Sequence, residues 1–187
     1  MASLKEEYTK KVIPGMMKDL GYKNSMAVPG IEKVVINIGI GKELAGKGSG
    51  EQKRFIKEIG DDLAMICGQR PALTKAKKSI SGFKLRKGMP QGLHLTLRKK
   101  RMFDFLERLI NINLPRSRDF KGLSEKSIDK NGNITIGIRE QIAFPEASTE
   151  KLKNIFGFEI TIKTSAGNKK EGIELLRRLG FPLSNKE

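Results

Sequence analysis

Hydrophobic and polar positions alternate in four stretches of the chain, and each predicts a strand with one apolar face. In "IEKVVINIGI", Val34, Ile36, Ile38 and Ile40 fall on one side, with Lys33, Val35, Asn37 and Gly39 on the other. "GLHLTLR" sets Leu93, Leu95 and Leu97 against His94, Thr96 and Arg98. "NITIGIR" sets Ile134, Ile136 and Ile138 against Thr135, Gly137 and Arg139, and "FEITIKT" sets Phe158, Ile160 and Ile162 against Glu159, Thr161 and Lys163. Helical spacing governs other segments. Leu4, Tyr8, Val12 and Met16 predict an N-terminal helix that Pro14 and Gly15 kink or end early. Phe55, Ile56, Ile59, Leu63 and Ile66 predict a second helix, capped by Gly68. Met102, Leu106, Leu109 and Ile110 predict a third, stopped by Pro115, and Ile173, Leu176 and Leu179 a last one, closed by Gly180 and Pro182.

Strands that are apolar on one face only call for a sheet covered by helices on one side. The expected fold is α+β: a two-layer, mainly antiparallel sheet with helices packed on one face, in a single domain spanning 1–187. Its open face carries Lys33, Asn37, His94, Thr96 and Arg98. Two long connections, near 115–133 and 141–150, are of a length that often serves function.

Charge changes this picture most. The net charge is +16, and it is concentrated. From Leu63 to Phe103 there are eleven Lys/Arg and no Asp or Glu, which leaves only +5 for the rest of the chain. Such a segment repels itself unless an anionic partner neutralises it, and nucleic acid is the usual one. An anionic membrane surface is the competing partner. It requires a basic amphipathic helix, whereas this segment is broken by Gly and Pro. No run of about 18 apolar residues is present to span a bilayer, and "MASLKEEYTKKVIPGMM" has no apolar core of a secretory signal. One cysteine, Cys67, excludes an internal disulfide framework and fits a reducing compartment.

Catalytic readings find little support. "GKELAGKGS", Gly41 to Ser49, follows a strand and reads as a phosphate-binding loop up to Lys47, but Gly48 stands where a magnesium-holding hydroxyl belongs. The stretch reads instead as a flexible lead into a helix. His94 is the only histidine, so neither a histidine cluster nor a structural zinc set is available, and no cofactor is called for. A Cys67–His94 dyad competes with a buried, inert thiol at a helix end. Asp61 and Asp62 are expected to face solvent from an amphipathic helix.

The basic segment remains. Ile80, Phe83, Leu85 and Met89 are interleaved with its bases, which a disordered charge run lacks. Lysine and arginine attract phosphates, while Gly82 and Gly88 let backbone approach closely. Phe83 is either a stacking platform for an exposed base or a small core anchor. Asn37, Gln69 and Thr96 are types that read base edges or 2′-hydroxyls. Composition does not separate RNA from DNA.

Three long stretches in order, "CGQRPALTKAKKSISGFKLRKGMPQG", "RLININLPRSRDFKGL" and "GIREQIAFPE", resemble the bacterial form of the fifth large-subunit ribosomal protein, the 5S rRNA-binding family. The resemblance runs from about Tyr8 to "LLRRLGFP". It implies a one-domain α+β protein of the ribosome, with a sheet side that holds 5S rRNA in the central protuberance. Carried over by position, the implied rRNA contacts are Lys33, Asn37, Gln69, Lys78, Ser79, Phe83, Thr96 and Arg98. The loop from Thr74 to Gly82, with Lys75, Lys77 and Ser81, is implied to reach peptidyl-site tRNA. Gln141, Phe144, Pro145 and Glu146 are implied to meet a small-subunit head protein in an intersubunit bridge. The other implied partners are 23S-type rRNA and neighbouring large-subunit proteins, with no membrane, in the cytoplasm. Three features depart from the family pattern. The segment 42–57 is longer and richer in Gly and Lys, Lys99, Lys100 and Arg101 replace a Gly and an acid after "TLR", and Ser117 replaces an aliphatic residue. The mechanism expected from residues and resemblance together is charge neutralisation plus a shaped polar sheet face, without catalysis.

Overall fold

A computed structural model describes residues 3–44, 46–83, 85–117, 120–147 and 154–184. The elements are α1 (Leu4–Glu7), α2 (Ile13–Leu20), β1 (Ile31–Gly39), α3 (Gly41–Leu44), α4 (Ser49–Cys67), β2 (Ala72–Lys75) and β3 (Pro90–Leu97). They continue with α5 (Lys99–Arg108), α6 (Leu114–Arg116), β4 (Leu123–Ser124), β5 (Ile134–Ile138), β6 (Phe158–Thr164), α7 (Lys169–Arg178) and β7 (Leu183–Ser184). The five longer strands form one sheet in the order β2-β3-β1-β6-β5, and β4 pairs with β7.

Bonds at the strand ends give the directions. The end of β1 meets the start of β3, where the Ile40 N–H donates to the Gln91 carbonyl. The Ser165 N–H after β6 donates to the Gly30 carbonyl before β1. The Thr164 N–H at the end of β6 donates to the Asn133 side chain just before β5. End meeting start makes each pair antiparallel, as is β2 with β3. The expected α+β fold with a mainly antiparallel sheet is the one observed. The alternation holds as well: Val34, Ile36, Ile38, Leu93, Leu95, Leu97, Ile134, Ile136, Ile138, Phe158, Ile160 and Ile162 are all buried.

The chain gathers into two compact units, Met1–Val34 with Leu97–Ile136 and Ile160–Glu187, and Val35–Thr96 with Gly137–Glu159. In the first, Leu4, Val12 and Met16 are buried from the N-terminal helices, Met102, Phe105 and Leu106 from α5, and Leu175, Leu176 and Leu179 from the last helix and its cap. In the second, Phe55, Ile59, Leu63 and Ile66 form the buried stripe of α4, which ends at Gly68 with φ 68°.

Pro14 was expected to kink or end the first helix and Pro115 to stop the third; the first path runs on past its proline, and the third ends one residue after its own. Between α1 and α2, Tyr8–Val12 form a π-helical turn in which the Ile13 N–H donates to the Tyr8 carbonyl, five residues back. Pro14 follows immediately. Between α5 and α6, Leu109–Asn113 form a second such turn, with the Leu114 N–H donating to the Leu109 carbonyl, and Pro115 follows. Proline clashes with the carbonyl four residues back in a regular helix. Widening the turn just before it relieves that clash, so the helical path continues to Leu20 and Arg116. Gly15 has its own reason: a Cβ there meets the Arg178 guanidinium, which pairs with Asp19 and Glu174.

Candidate nucleic-acid interface

The basic segment folds as a β-hairpin. β2 and β3 pair with Ala72 opposite His94, Leu73 opposite Leu93 and Thr74 opposite Gly92, and the register shifts at Lys75, opposite Pro90. Pro90 lacks an N–H, which suits the first residue of a strand. The stem continues past the strands. The Ala76 N–H donates to Met89 and the Gly88 N–H to Ala76. Further out, Ile80 and Leu85 exchange both backbone bonds, at 2.9 and 3.1 Å. The Ser79 hydroxyl accepts the Lys87 N–H at 2.9 Å, and Ser81–Phe83 form a single 3-10 turn at the tip. Gly88, at φ 87°, takes the left-handed conformation in the Arg86–Met89 turn that leads into β3.

Backbone bonds order this arm, and its side chains point outward. Ala76 is the only described residue between Lys75 and Met89 that is buried. Phe83 is 79% exposed and Ile80 46%, so Phe83 is not a core anchor, and the interleaved apolar residues do not pin the loop to the core. Among the described residues, none of Lys75, Lys77, Lys78, Arg86 and Lys87 enters an ion pair, whereas Arg70, just before the arm, reaches Asp61 at 3.6 Å. Lys84 lies outside the described residues.

The open face of the same unit lies beside the arm. The Ile40–Gln91 bond fixes the β1–β3 register. Continued by whole residues, it sets Val34 with Leu97, Ile36 with Leu95 and Ile38 with Leu93, all buried, and Asn37 with His94 on the other face. Asn37 is exposed, and His94 and Thr96 are partly so. Gln69 follows the left-handed Gly68, and that turn brings its amide back to donate to the Thr96 carbonyl at 3.4 Å. Ala72, His94 and Asn37 therefore form one row across three strands, with Thr96 and Gln69 next to it. His94 Nδ1 is buried without a hydrogen-bond partner among the described residues. Lys33 and Arg98 belong to the other compact unit, where Lys33 is half-buried and Arg98 exposed at the N-cap of α5.

The 141–146 segment differs. Gln141 is fully buried: its Nε2 donates to the Asn154 carbonyl at 2.6 Å and its Oε1 accepts the Phe156 N–H at 2.7 Å. Phe144 is 1% exposed, with its ring 5.3 Å from that of Phe158. In this chain those two side chains face the interior. The surface of the segment is made by Pro145, Glu146 and the exposed Ile142, which the sequence reading missed.

Two family models match in succession: one described as ribosomal protein L5 over residues 24–86, and one for the C-terminus of the same ribosomal family over residues 90–183. The large ribosomal subunit protein uL5 of Geotalea uraniireducens is 48% identical over 185 residues, covering 99% of this chain and all of that relative. Its counterpart in Herpetosiphon aurantiacus is 50% identical over 97% of this chain and 98% of its own length. That of Caldanaerobacter subterraneus is 48% identical over 98% and 99%. The chain belongs to the ribosomal protein L5 family. Membership in the L5 family makes it a protein of the large ribosomal subunit and not an enzyme. It also disposes of the nucleotide-site reading of "GKELAGKGS", whose Gly48 is the N-cap of α4 and whose Ser49 is that helix's first residue.

Proposed function

We propose that this L5-family chain binds 5S rRNA and helps attach it in the central protuberance. In this reading Asn37, Gln69, Thr96, Lys33 and Arg98 meet the RNA from the sheet side, with Lys78, Ser79 and Phe83 on the arm. The outer part of the arm, Thr74, Lys75, Lys77, Ser81 and Gly82, meets peptidyl-site tRNA, and Pro145 and Glu146 lead the contact with a small-subunit head protein. The chain acts as one domain, ribosome-bound in the cytoplasm, beside 23S-type rRNA and neighbouring proteins of the subunit.

The observation that carries the reading is the pairing of two surfaces in one unit. One is a polar row of short side chains, of the kind that reads 2′-hydroxyls and base edges. The other is an arm of exposed lysines and arginines free of acids, which supplies sequence-independent attraction to phosphate. Filter binding of the pure protein to 5S rRNA, against scrambled RNA of equal length, tests it. A clear preference for 5S rRNA is expected. Equal affinity for both RNAs would mean a general basic chaperone instead. Replacing Lys77 and Lys78 together with alanine separates the arm's roles. If they meet 5S phosphates, the salt slope of binding falls by about two units of the logarithmic plot; if they serve tRNA, it hardly moves.

A further inference from the structure

The sheet ends at β2, and the outer edge of that strand is open. Two sets of bonds fix which way its backbone groups point. The Ala76 N–H donates to the Met89 carbonyl and the Ala76 carbonyl accepts the Gly88 N–H, so both groups of Ala76 face across the hairpin. Backbone groups of successive strand residues point to opposite sides. Thr74 and Ala72 therefore face β3 as well, and Leu73 and Lys75 face away from it. The Ile40–Gln91 bond agrees from the other side of β3. Continued by alternate residues, it turns Leu93 and Leu95 towards β1, which leaves Gly92 and His94 to meet their partners Thr74 and Ala72.

Leu73 and Lys75 thus each present an N–H and a carbonyl beyond the sheet. Among the described residues, no backbone or side-chain group bonds to either of them outside the strand pairing. Both residues are exposed, and the Leu73 side chain is 39% exposed because no strand lies beyond it. An open edge of this kind is a template for another strand.

The chemistry of the edge selects its partner. A phosphate backbone offers acceptors along its length, whereas this edge repeats a donor and an acceptor at every second residue. An extended peptide matches both, and a side chain on its inner face covers Leu73. Charge sets the sign. Lys75 lies on the edge, with Lys77 and Lys78 just beyond, all exposed and in no ion pair among the described residues. A second copy of this chain laid edge to edge would set these lysines against their own kind, and like charges across a strand pair are destabilising. An acidic strand meets no such penalty.

We propose that the β2 edge is a docking site for an extended acidic segment of another protein, which adds to the sheet as a further strand. Its backbone pairs with Leu73 and Lys75, and its acids meet the lysines at the root of the arm. The site lies on the rim of the sheet, apart from the polar row, and does not rest on the 5S rRNA reading.

The test uses the full chain and a synthetic peptide of alternating glutamate and valine, with hydrogen exchange of the backbone amides as the readout. In the free protein, the Leu73 and Lys75 amides are expected to exchange fast and those of Thr74 and Ala76 slowly. The peptide is expected to slow Leu73 and Lys75, and a peptide of alternating lysine and valine is expected to leave them unchanged. Leu73→Pro removes an outward N–H only, a change that edge strands accept. It is expected to melt close to wild type and to bind the acidic peptide about tenfold more weakly or worse. Binding that leaves the two amides fast means a charge contact alone and overturns the strand addition. Slow exchange at Leu73 and Lys75 in the free protein means that the edge is already covered, and equal protection by both peptides overturns the acidic partner. If 5S rRNA slows these amides and the peptide does not, the edge is an RNA contact and the proposal falls. Exchange is read in the wild type, so the test stands even where Leu73→Pro fails to fold.

Discussion

The basic arm and the 141–146 segment are both loops of the second compact unit, and they are held in opposite ways. The arm is built by backbone: its hydrogen bonds run from Ala76–Met89 through Ile80–Leu85, and its side chains are left outside. The 141–146 segment is built by side chains: Gln141 satisfies an N–H and a carbonyl of the 154–156 strand entry, and Phe144 sits on Phe158. Side chains on the arm are therefore available to a ligand at little cost to the fold. In the other segment Gln141 and Phe144 are committed to the interior, and Ile142 and Pro145 are the exposed side chains. Phenylalanine in a loop carries no fixed meaning; what orders the loop decides it.

Two phenylalanines break the comparison most sharply. Phe144→Ala is expected to lose about 3–5 kcal/mol of stability in urea unfolding, the usual range for emptying a buried aromatic site. Phe83→Ala is expected to stay within about 0.5 kcal/mol of wild type in the same assay, while weakening RNA binding by about 1–3 kcal/mol if it stacks on a base. A stability loss for Phe83→Ala as large as for Phe144→Ala would erase the distinction. Gln141→Ala comes next. It strips partners from the buried Phe156 N–H and the Asn154 carbonyl, for an expected loss of about 1–3 kcal/mol in the same unfolding experiment.

A smaller effect is expected where β3 leaves the arm and enters α5. Lys99 is the only described non-glycine residue with positive φ, at 51°. A side chain in that left-handed region costs about 1–2 kcal/mol, which glycine avoids. Lys99→Gly is therefore expected to gain about 1 kcal/mol at the midpoint of thermal unfolding, despite glycine's greater freedom in the unfolded chain. No gain, or a loss, would show that the lysine's own contacts outweigh the strain.

How much of this was legible in the sequence depends on the range of the interaction. The four alternating strands and the α4 stripe were legible because a period of two or 3.6 is local. Gly68 was legible as a cap because helix ends need a left-handed residue. The π-helical turns before Pro14 and Pro115 were not, because the expectation that proline ends a helix assumes an unbroken ladder of four-residue bonds. The two-residue strands β4 and β7 are too short to alternate, and they pair across some sixty residues of chain. On the candidate site, the polar types at Asn37, Thr96 and Gln69 could be read directly. Their gathering depends on the β1–β3 register and on the turn after Gly68. The burial of Gln141 and the exposure of Phe83 are set by tertiary contacts, present in one case and missing in the other, which no local pattern encodes. That Lys75, Lys77, Lys78, Arg86 and Lys87 form no ion pairs among the described residues could be anticipated, since their stretch of chain has no acids to offer.

Asp62 is the last acid before that acid-free stretch, and it supplies the smallest effect and a third way of holding a side chain. It is partly buried, and among the described residues it forms no ion pair. Burial pushes its carboxyl above the usual range, and the neighbouring Asp61 and Glu58 carboxylates push it the same way. A carboxyl whose pKa is higher in the folded than in the unfolded chain binds protons more readily when folded. It therefore lowers stability at neutral pH, and that penalty fades as the pH falls through its raised pKa. Glu58 and Asp62 are four residues apart on α4, a like-charge spacing that costs about 0.2–0.5 kcal/mol. Asp62→Asn keeps the shape and removes the charge. At pH 7 it is expected to stabilise the chain by that amount, and the difference from wild type should shrink as the solution is acidified through the carboxylate range. Urea unfolding of both proteins at several pH values measures it. A variant less stable than wild type at pH 7 would mean that the Asp62 carboxylate has a favourable partner that outweighs Asp61 and Glu58.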